Sequence, residues 1–366
     1  MSLLEIITKM KFLFVGDIFP GNLDITTGFG VASQFFKHHG KPWINQIRKI
    51  TKHCDFVFGN LESPLIYDEK KAASVSFAGS NKFSNFLMEC GFNILSIANN
   101  HILEQGEKGF FETINILNNA NIIPVGFQKE YNSNLVILEK DNIKLGFAAY
   151  NSVHDIKNPN LYSDFSIEKA ISSLNKMKNF EVDCKIVSLH WGWNEEYINI
   201  PSTENIKIAR TLIDNGADII VGHHPHVVQP IEKYKGKLIF YSLGNFLFDM
   251  IWSKNVRAGL AVKVLYNKLT KKLDYELIPI YLNNDYNPLL YNKAKFEKKM
   301  QKYSNQMKLF DNDENKYIKK RKFQMKLNQY YQRIMMKIFI IKNWNRFSFI
   351  GKKKYIEKVK RKLLKG

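Results

Sequence analysis

Residues 217–226 constrain the fold more than any other part of the chain, because an apolar run leads directly into three histidines within four residues. The run 217–221 is too short for a buried helix and rich in β-branched residues, so it predicts a buried strand that ends at Gly222. In an extended chain, His224 and His226 would point to the same side, since side chains alternate with period 2. The carboxyl end of such a strand is where α/β sheets place their sites.

The three histidines of this turn indicate metal binding. Neutral imidazole is the commonest side-chain ligand of transition metals. The whole chain has nine histidines, so three in one turn are poorly explained by chance. The alternative is a surface turn that happens to contain them. We predict that His224 and His226 are metal ligands and that His223 contacts substrate.

Apolar runs followed by a polar or ligand-type residue recur along the chain. The residues that follow the other runs are Asp17, Glu62, Asn100 with His101, His190 and Asn245. One such residue is weak evidence, because Asp and Asn are common in turns. Six strand ends of this kind are not expected from turn chemistry. The pattern predicts a layered α/β domain with its site along one edge of a sheet.

Hydrophobic periodicity places the other elements between these strand ends. We predict helices at residues 41–52, 81–90, 107–119, 166–177 and 202–215. We also predict a hairpin that pairs residues 135–138 with 143–149, and a final antiparallel pair at 258–266 and 272–282.

The candidate site residues offer carboxylate, amide oxygen and imidazole groups. This mixed set suits one or two divalent ions such as Mn, Fe or Zn better than Ca or a thiolate-bound metal. We expect Asp17 to be able to bridge two ions, and His101 at the rim to protonate a leaving group or contact an oxyanion. The predicted metal ligands are Asp17, Glu62, Asn100, His190, His224 and His226.

Each of these residues also has an ordinary structural interpretation. Asp17 could cap a loop, and Glu62 could be an exposed turn residue. Asn100 could occupy a left-handed turn, and His190, beside tryptophans, could be a hydrogen-bonded core histidine. Asn245 could hold the backbone instead of contacting substrate.

Charge divides the chain into two parts. Of 54 Lys and Arg and 34 Asp and Glu, residues 291–366 hold 24 and 5, which leaves 30 and 29 in residues 1–290. The body is therefore nearly neutral, which argues against a basic catalytic groove made for a polyanion. We predict a domain at 1–290 and a basic helical extension at 291–366.

The basic extension has two interpretations. Its lysines are interleaved with aromatic residues, a composition that suits an anionic membrane surface. It could equally be a helical segment that folds on the body and exposes a basic face. Nucleic-acid binding is the least favoured option, since no groove-reading motif occurs.

We expect neither a targeting segment nor a membrane-spanning segment in this sequence. No apolar stretch is long enough to cross a bilayer, and the first residues do not resemble a cleavable signal peptide. Cys54, Cys90 and Cys184 are widely spaced and form no disulfide framework. We expect a cytoplasmic protein, with peripheral attachment at the inner face of the membrane as a further option; the oligomeric state is left open.

Taken together, six motifs resemble the CapA family of poly-gamma-glutamate capsule biosynthesis proteins, in that family's order. They are Gly16-Asp17 with Gly21, Asn60-Leu61-Glu62-Ser63-Pro64, Ala98-Asn99-Asn100-His101 with Gly106 and Gly109, His190-Trp191-Gly192, residues 222–229 and residues 241–246. That family is similar to the calcineurin-like metallophosphoesterases. The resemblance implies a four-layer α/β/β/α sandwich with a two-metal site.

The resemblance also implies roles for single residues. Asp17 matches the first-motif aspartate, and Glu62 stands where the phosphoesterases have a bridging aspartate. Where they have a first-motif histidine, this chain has Phe19, so one metal site lacks a ligand. Glu104 stands at a position that is usually acidic.

Two functions follow as expectations. The first is a metal-dependent hydrolase or phosphoesterase in the synthesis of a capsule or other extracellular polymer, acting on a phosphoester or an anionic polymer intermediate. The second is a non-catalytic, metal-binding scaffold that its basic extension attaches to a membrane-bound synthesis complex. Phe19 favours the scaffold, whereas the retained histidines favour the enzyme.

Overall fold

Two β-sheets form the centre of the protein in the computed structural model, which describes residues 9–127, 135–155, 160–347 and 349–363. The larger sheet contains β1 (Lys9–Ile18), β2 (Phe56–Leu61), β5 (Ile94–Ser96), β6 (Ile123–Val125), β13 (Asn245–Leu247), β14 (Ala258–Asn267), β15 (Lys272–Leu282) and β16 (Pro288–Leu290). The smaller contains β7 (Leu135–Lys140), β8 (Ile143–Asn151), β9 (Cys184–His190), β10 (Ile219–His223), β11 (Ile231–Tyr234) and β12 (Lys237–Phe240). Two short strands, β3 (Leu65–Ile66) and β4 (Gly79–Ser80), pair separately.

Helices connect these strands and continue to the end of the described chain. The helices of the body are α1 (Val31–His38), α2 (Lys41–Thr51), α3 (Glu69–Ser74), α4 (Lys82–Glu89), α5 (Gly106–Asn119), α6 (Ile167–Asn179), α7 (Thr203–Asp214) and α8 (Lys254–Arg257). Those of the C-terminal segment are α9 (Lys293–Asn312), α10 (Glu314–Asn343), a 3₁₀ turn (Trp344–Arg346) and α11 (Phe349–Leu363).

The predicted α/β class is confirmed, and the five predicted helices, the hairpin and the final antiparallel pair are present. Periodicity found these elements because each has a regular apolar face. It missed α1, and it missed β13, which has only three residues. A three-residue strand is too short for a hydrophobic period to be recognised.

Each sheet has a parallel centre. In the larger sheet β1, β2, β5 and β6 are parallel, with antiparallel β14 on the other side of β1. In the smaller sheet β8, β9, β10 and β12 are parallel. The carboxyl ends of parallel strands meet at one edge of a sheet, so residues far apart in sequence come together there.

The hydrophobic core shows how the layers are ordered. Phe14 and Phe58 of the larger sheet share one buried cluster with Phe147 and Ile186 of the smaller sheet. Neighbouring side chains point the other way: Leu13 belongs to a cluster with residues of α2, α4 and α5. On the far side of the smaller sheet, residues of α6 and α7 pack in a third cluster. The sheets therefore face each other, with helices outside both.

The three C-terminal helices pack on the body. The Tyr317 hydroxyl donates a hydrogen bond of 2.6 Å to the Pro201 carbonyl. Arg321 forms a 2.8 Å ion pair with Glu195, in the loop that follows β9. Farther along α10, Phe339 is buried in the cluster outside the larger sheet. The basic segment is thus helical and partly buried, and its predicted affinity for membranes stays a prediction.

In the described part of the chain, none of the helices combines the length and the apolar character that crossing a bilayer requires.

Asp249 fixes the loop that follows β1. Its Oδ2 accepts hydrogen bonds from the Leu23 amide, at 2.9 Å, and from the Thr26 hydroxyl, while its Oδ1 accepts from the Val31 amide. Val31 is the first residue of α1, which has no side-chain cap of its own. Burial raises the pKa of Asp249 to about 6 in spite of these donors. The carboxylate therefore organises the chain just beyond Asp17.

Replacing Asp249 with asparagine tests this role. In the Asp249→Asn variant the amide NH2 would face at least one buried N–H or O–H donor and leave it without an acceptor. We therefore expect the free energy of unfolding to fall by about 2–3 kcal/mol. Denaturant unfolding above the pKa of Asp249 would measure it. The matched control is Asp274→Asn, at an exposed ion pair with Lys272, where we expect a loss below about 0.5 kcal/mol. Equal losses in both variants would contradict the role.

Candidate metal centre

The predicted site residues meet where the carboxyl ends of the parallel strands of both sheets adjoin. In the larger sheet, Asp17 of β1 is in register with Asn60 of β2 and with Asn245 of β13. In the smaller sheet, His223 of β10 is in register with His190 of β9. The sheet registers thus assemble residues from distant parts of the sequence.

The structure corrects two expectations about the histidine turn. β10 does not end at Gly222 but includes both it and His223. A Cβ at Gly222 would lie 2.0 Å from the Tyr241 carbonyl oxygen, so only glycine fits this close approach. His224 and His226 have φ values of 94° and 55°, so strand alternation does not orient them. Such backbone is costly for non-glycine residues and concentrates at functional sites.

Two groups of buried side chains have the composition and spacing of a metal site. One consists of Asp17, Glu62 and His190, and the other of Glu62, His224 and His226. Within each group, the donor atoms lie within 4.8 Å of one another. Glu62, and not Asp17, is common to the two groups, which differs from the bridge expected for Asp17. Two adjacent ion positions that share one carboxylate would account for both groups.

Asp17 is fully buried and surrounded by donors. Asn60 Nδ2 donates to Asp17 Oδ1 at 2.9 Å, and His223 Nδ1 lies 3.0 Å from the same oxygen. The His224 amide donates to Oδ2 at 3.3 Å. Burial raises the pKa of Asp17, but the hydrogen bond and charge of His223, with His226 and Asn60, outweigh it and leave the pKa below its usual value. Asp17 is therefore ionised at neutral pH.

Glu62 has the opposite electrostatic environment. Burial, and then the negative charge of Asp17, raise its pKa well above the usual range. His226 Nε2 lies 3.6 Å and His190 Nε2 4.0 Å from Glu62 Oε1. A carboxylate oxygen of Asp17 lies within 4.8 Å of one of Glu62. Without a further positive charge, two buried carboxylates at this separation do not both ionise. The site as formed by protein groups alone is short of positive charge.

The histidines of the site do not supply that charge. Burial, followed by the neighbouring imidazoles, lowers the pKa of His190 well below its usual range and that of His224 to about 3. Burial also lowers the pKa of His226. These histidines are therefore neutral at neutral pH, which is the form that binds a metal ion.

Unpaired buried atoms in the site indicate whether its residues fit a cation. Among the described residues, Glu62 Oε1 and His224 Nδ1 are buried atoms without a hydrogen-bond partner. Buried polar atoms in proteins are nearly always paired, so an unpaired carboxylate oxygen and an unpaired imidazole nitrogen in one site need an explanation. Both belong to one candidate ligand group. The donor chemistry fits a divalent transition-metal ion.

Asn60 is the residue that sequence reasoning missed. Its amide nitrogen lies 2.9 Å from Asp17 Oδ1, 3.4 Å from Glu62 Oε2 and 3.3 Å from His190 Nδ1. Its carbonyl oxygen accepts from Asn99 Nδ2 at 3.1 Å. One buried amide thus holds three candidate ligands in place. Its position two residues before Glu62 was the available signal, since β alternation puts both side chains on one face.

His101 lies at the rim, as expected, with a quarter of its side chain exposed. Its Nδ1 is 3.3 Å from Glu104 Oε1, and its Nε2 is 3.3 Å from Asn100 Nδ2. The ring stacks on Phe77 with 4.6 Å between centroids. Asn100 in turn places its carbonyl oxygen 2.9 Å from His190 Nε2. This chain of contacts connects the exposed imidazole to the buried site.

The two predicted substrate contacts are engaged within the protein. Asn245 Oδ1 lies 3.0 Å from His226 Nδ1, and its amide group donates to the Val256 carbonyl at 3.0 Å. Asn245 thereby fixes the ring of a candidate ligand. His223 contacts Asp17 through Nδ1, and its Nε2 is buried with no hydrogen-bond partner in the part of the chain that the structure describes. Both residues are placed to orient ligands, and substrate contact stays a prediction for them.

Phe19 lies in a row of aromatic rings beside the site. Its ring stacks on Phe248 at 4.6 Å and meets Phe77 edge-on at 5.3 Å. Phe248 packs against His226 at 4.8 Å, and Phe77 against His101 at 4.6 Å. Phe19 is therefore packed as part of an apolar wall between the two histidines, and it brings no ligand atom.

Comparisons with known proteins identify related sequences. The sequence model of the family described as "Bacterial capsule synthesis protein PGA_cap" matches residues 11–250. Over 283 residues the chain is 32% identical to the capsule biosynthesis protein CapA of Bacillus anthracis, which covers 73% of this chain and 66% of that protein. Over 287 residues it is 32% identical to the PGA biosynthesis protein CapA of Bacillus subtilis strain 168, covering 73% and 70%. The chain spans about two thirds of the length of these relatives.

Among solved structures, a novel phosphatase of Mycoplasma pneumoniae is similar, with 15% identity, 79% of this chain and 96% of that chain covered, and a TM-score of 0.46.

The metal content of the purified protein tests the two ligand groups. We expect Mn²⁺ or Zn²⁺ to bind to the wild type and to bind at least about a hundredfold more weakly to the His224→Ala variant. Losing a residue that only supports a ligand already lowers metal affinity by about 10- to 100-fold, so losing a ligand should cost at least as much. Elemental analysis and calorimetric titration would measure it. The control His38→Ala changes a histidine at the end of α1 and should bind like the wild type. Equal affinity in both variants would exclude the site.

Metal binding should depend on pH through Glu62. The raised pKa means that Glu62 keeps its proton where an ordinary glutamate has lost it, so ion binding must release that proton. We expect affinity to rise with pH, by up to about tenfold per pH unit, until Glu62 ionises without metal. Calorimetry in buffers of different ionisation enthalpy would count the protons. A metal affinity that does not change with pH would contradict this. The Glu62→Gln variant should lose the dependence of metal affinity on pH.

Proposed function

Because this chain belongs to the PGA_cap family of bacterial capsule synthesis proteins, we propose that it is a metal-dependent hydrolase or phosphoesterase acting in the synthesis of an extracellular polymer. The observation that carries this proposal is the buried Glu62 carboxylate shared by two groups of metal-type ligands. A purely structural site would have no reason to leave Glu62 Oε1 and His224 Nδ1 unpaired.

The residues present could divide the chemistry as follows. Asp17, Glu62 and the three buried histidines would hold one or two divalent ions, which supply Lewis acidity toward a substrate oxygen. His101, exposed at the rim, would donate a proton to the leaving group. Glu104, 3.3 Å from His101 Nδ1, would orient the ring. The aromatic wall around Phe19 would keep water from that side of the site.

The substrate proposed is a phosphoester or an intermediate of an anionic polymer. The two Bacillus relatives are named for the synthesis of a capsule and of PGA, which supports a poly-gamma-glutamate or polysaccharide product. We also propose a location in the cytoplasm, with the basic C-terminal helices as the surface that would face an anionic membrane. The excess of lysine and arginine in that segment supports this.

One observation favours a second candidate function, a metal-binding scaffold of a polymer synthesis complex. Phe19 is fully buried and stacked where a further ligand was expected from the resemblance. A protein that keeps the ligand groups but has a packed aromatic side chain at one ligand position could bind its ion for a structural role. Turnover by the metal-loaded protein distinguishes the two functions.

Substituting His101 tests the enzyme directly. With a chromogenic phosphomonoester and a phosphodiester as probes, we expect His101→Asn to lower kcat by about 10²- to 10⁴-fold, the usual contribution of a general acid. Its metal content should equal that of the wild type, since His101 is in neither ligand group. His38→Asn is the control and should keep full activity. Metal-loaded wild-type protein without turnover of either ester would favour the scaffold.

A further inference from the structure

A cavity of about 140 Å³ lies between the body and the C-terminal helix α10. The body contributes Glu196, Tyr197 and Trp252, and the helix contributes residues that include Gln332 and Arg333. The family match ends at residue 250, so Trp252 and the helical side of this cavity lie outside it. The C-terminal segment therefore forms one wall of a cavity, in addition to packing on the body.

Tyr197 connects this cavity to the candidate metal centre. Its ring lies 6.5 Å from the ring of His226 and 6.3 Å from that of Trp252. Its backbone amide donates a 2.8 Å hydrogen bond to the Pro225 carbonyl, inside the histidine turn. Tyr197 also has a φ of 69°, so the backbone here adopts an unfavourable conformation. A ligand in the cavity would lie one aromatic ring away from a candidate metal ligand.

Gln332 shows the polarity that the cavity can recognise. The side chain is 3% exposed, and its Oε1 accepts a 3.0 Å hydrogen bond from Trp252 Nε1. An indole N–H can only donate, so this bond fixes which end of the amide faces Trp252. The other end, Nε2, is buried and has no partner among the described residues. Gln332 is one of the residues that line the cavity, so an acceptor on a ligand held there would pair with this buried donor.

Arg333 adds a positive charge at the same place. Within the described residues, its guanidinium takes part in none of the ion pairs found, in contrast to Arg210 and Arg321. A guanidinium presents several N–H donors in a planar fork that suits a carboxylate. Arg333 and Gln332 both line the cavity, and their side chains together offer N–H donors for an oxyanion.

A second cavity of about 380 Å³ extends the basic surface. It shares Trp252 with the first and is lined by Arg257, Lys342 and Arg346, with no carboxylate among its lining residues. A ligand longer than the first cavity would therefore meet further cations, from the end of α10, from the 3₁₀ turn after it and from α8. Repeated anionic groups, as in a polymer, match this arrangement better than a single small anion.

We propose that these two cavities bind a segment of a carboxylate-bearing polyamide, held between α10 and Trp252 next to the metal centre. Carboxylates of the segment would accept hydrogen bonds from Arg333 and Gln332, and Glu196 would accept one from an amide N–H of the chain. A polyphosphate lacks such donors, so Glu196 favours a polyamide. The inference rests on the proposed function in its choice of polymer, and it names the binding residues.

Calorimetric titration of the full chain with a synthetic γ-linked glutamate oligomer tests the proposal. In Gln332→Glu, the carboxylate can still accept from Trp252 Nε1, but the donor toward the ligand is replaced by an acceptor. We expect its affinity for the oligomer to fall about 10- to 100-fold, the effect of one hydrogen bond to a charged group. Arg333→Gln should show a loss of the same order.

Lys337→Gln is the matched control, because it removes one charge from an exposed position one turn along the same helix. It should change the affinity by less than about twofold. Equal losses in all three variants would mean unspecific attraction and would overturn the proposal. So would wild-type affinity in Gln332→Glu and Arg333→Gln. Inorganic phosphate, titrated separately, should bind at least about tenfold more weakly than the oligomer; tighter binding of phosphate would overturn the polyamide assignment.

The outcome can be separated from that of the proposed function, since binding is measured without turnover. Oligomer binding that depends on Gln332 and Arg333, in a protein that hydrolyses no ester, would overturn the hydrolase and leave the binding site standing. Ester hydrolysis by the wild type, with oligomer affinity unaffected by both substitutions, would overturn the binding site alone.

Discussion

The burial of two carboxylates at one point of the interior is the constraint on which the site depends. Asp17 and Glu62 are both fully buried, and burial of unpaired charge is among the most costly events in folding. The protein surrounds Asp17 with donors from Asn60, His223 and the His224 amide. Among the described residues, one oxygen of Glu62 has no hydrogen-bond partner. That imbalance fits a cation bound next to Glu62, while burial keeps His190, His224 and His226 in the neutral form that binds a metal ion.

The same site has aromatic packing on one side and the loop after β9 on another. Phe19, which stacks on Phe248 and meets Phe77 edge-on, makes the first side apolar. On the second side, Arg321 of α10 holds the loop after β9 through Glu195, and that loop carries Tyr197 toward the histidine turn. The C-terminal helices are therefore structurally coupled to the centre, so removing them would disturb the loop as well as the surface charge.

Much of the fold was accessible from the sequence, because the strands are short apolar runs and the helices have a regular apolar face. The central strands are buried on both sides, which makes them continuous apolar runs that are easy to recognise. α1 was missed because its N-terminus is capped by Asp249, more than two hundred residues away. β13 was missed because three residues carry no period, although its pairing with β1 brings Asn245 beside Asp17.

For the candidate site, the sequence by itself determined which residue types stand at the strand ends, since polar residues after apolar runs are visible in any reading of the chain. Only the tertiary structure decided how they are used. Parallel register set Asn60 against Asp17, and left-handed backbone instead of strand alternation turned His224 and His226 inward. The packing of α10 against Trp252 placed Gln332 in the wall of a cavity. These contacts join residues distant in sequence, and no local pattern encodes the distance between two such atoms.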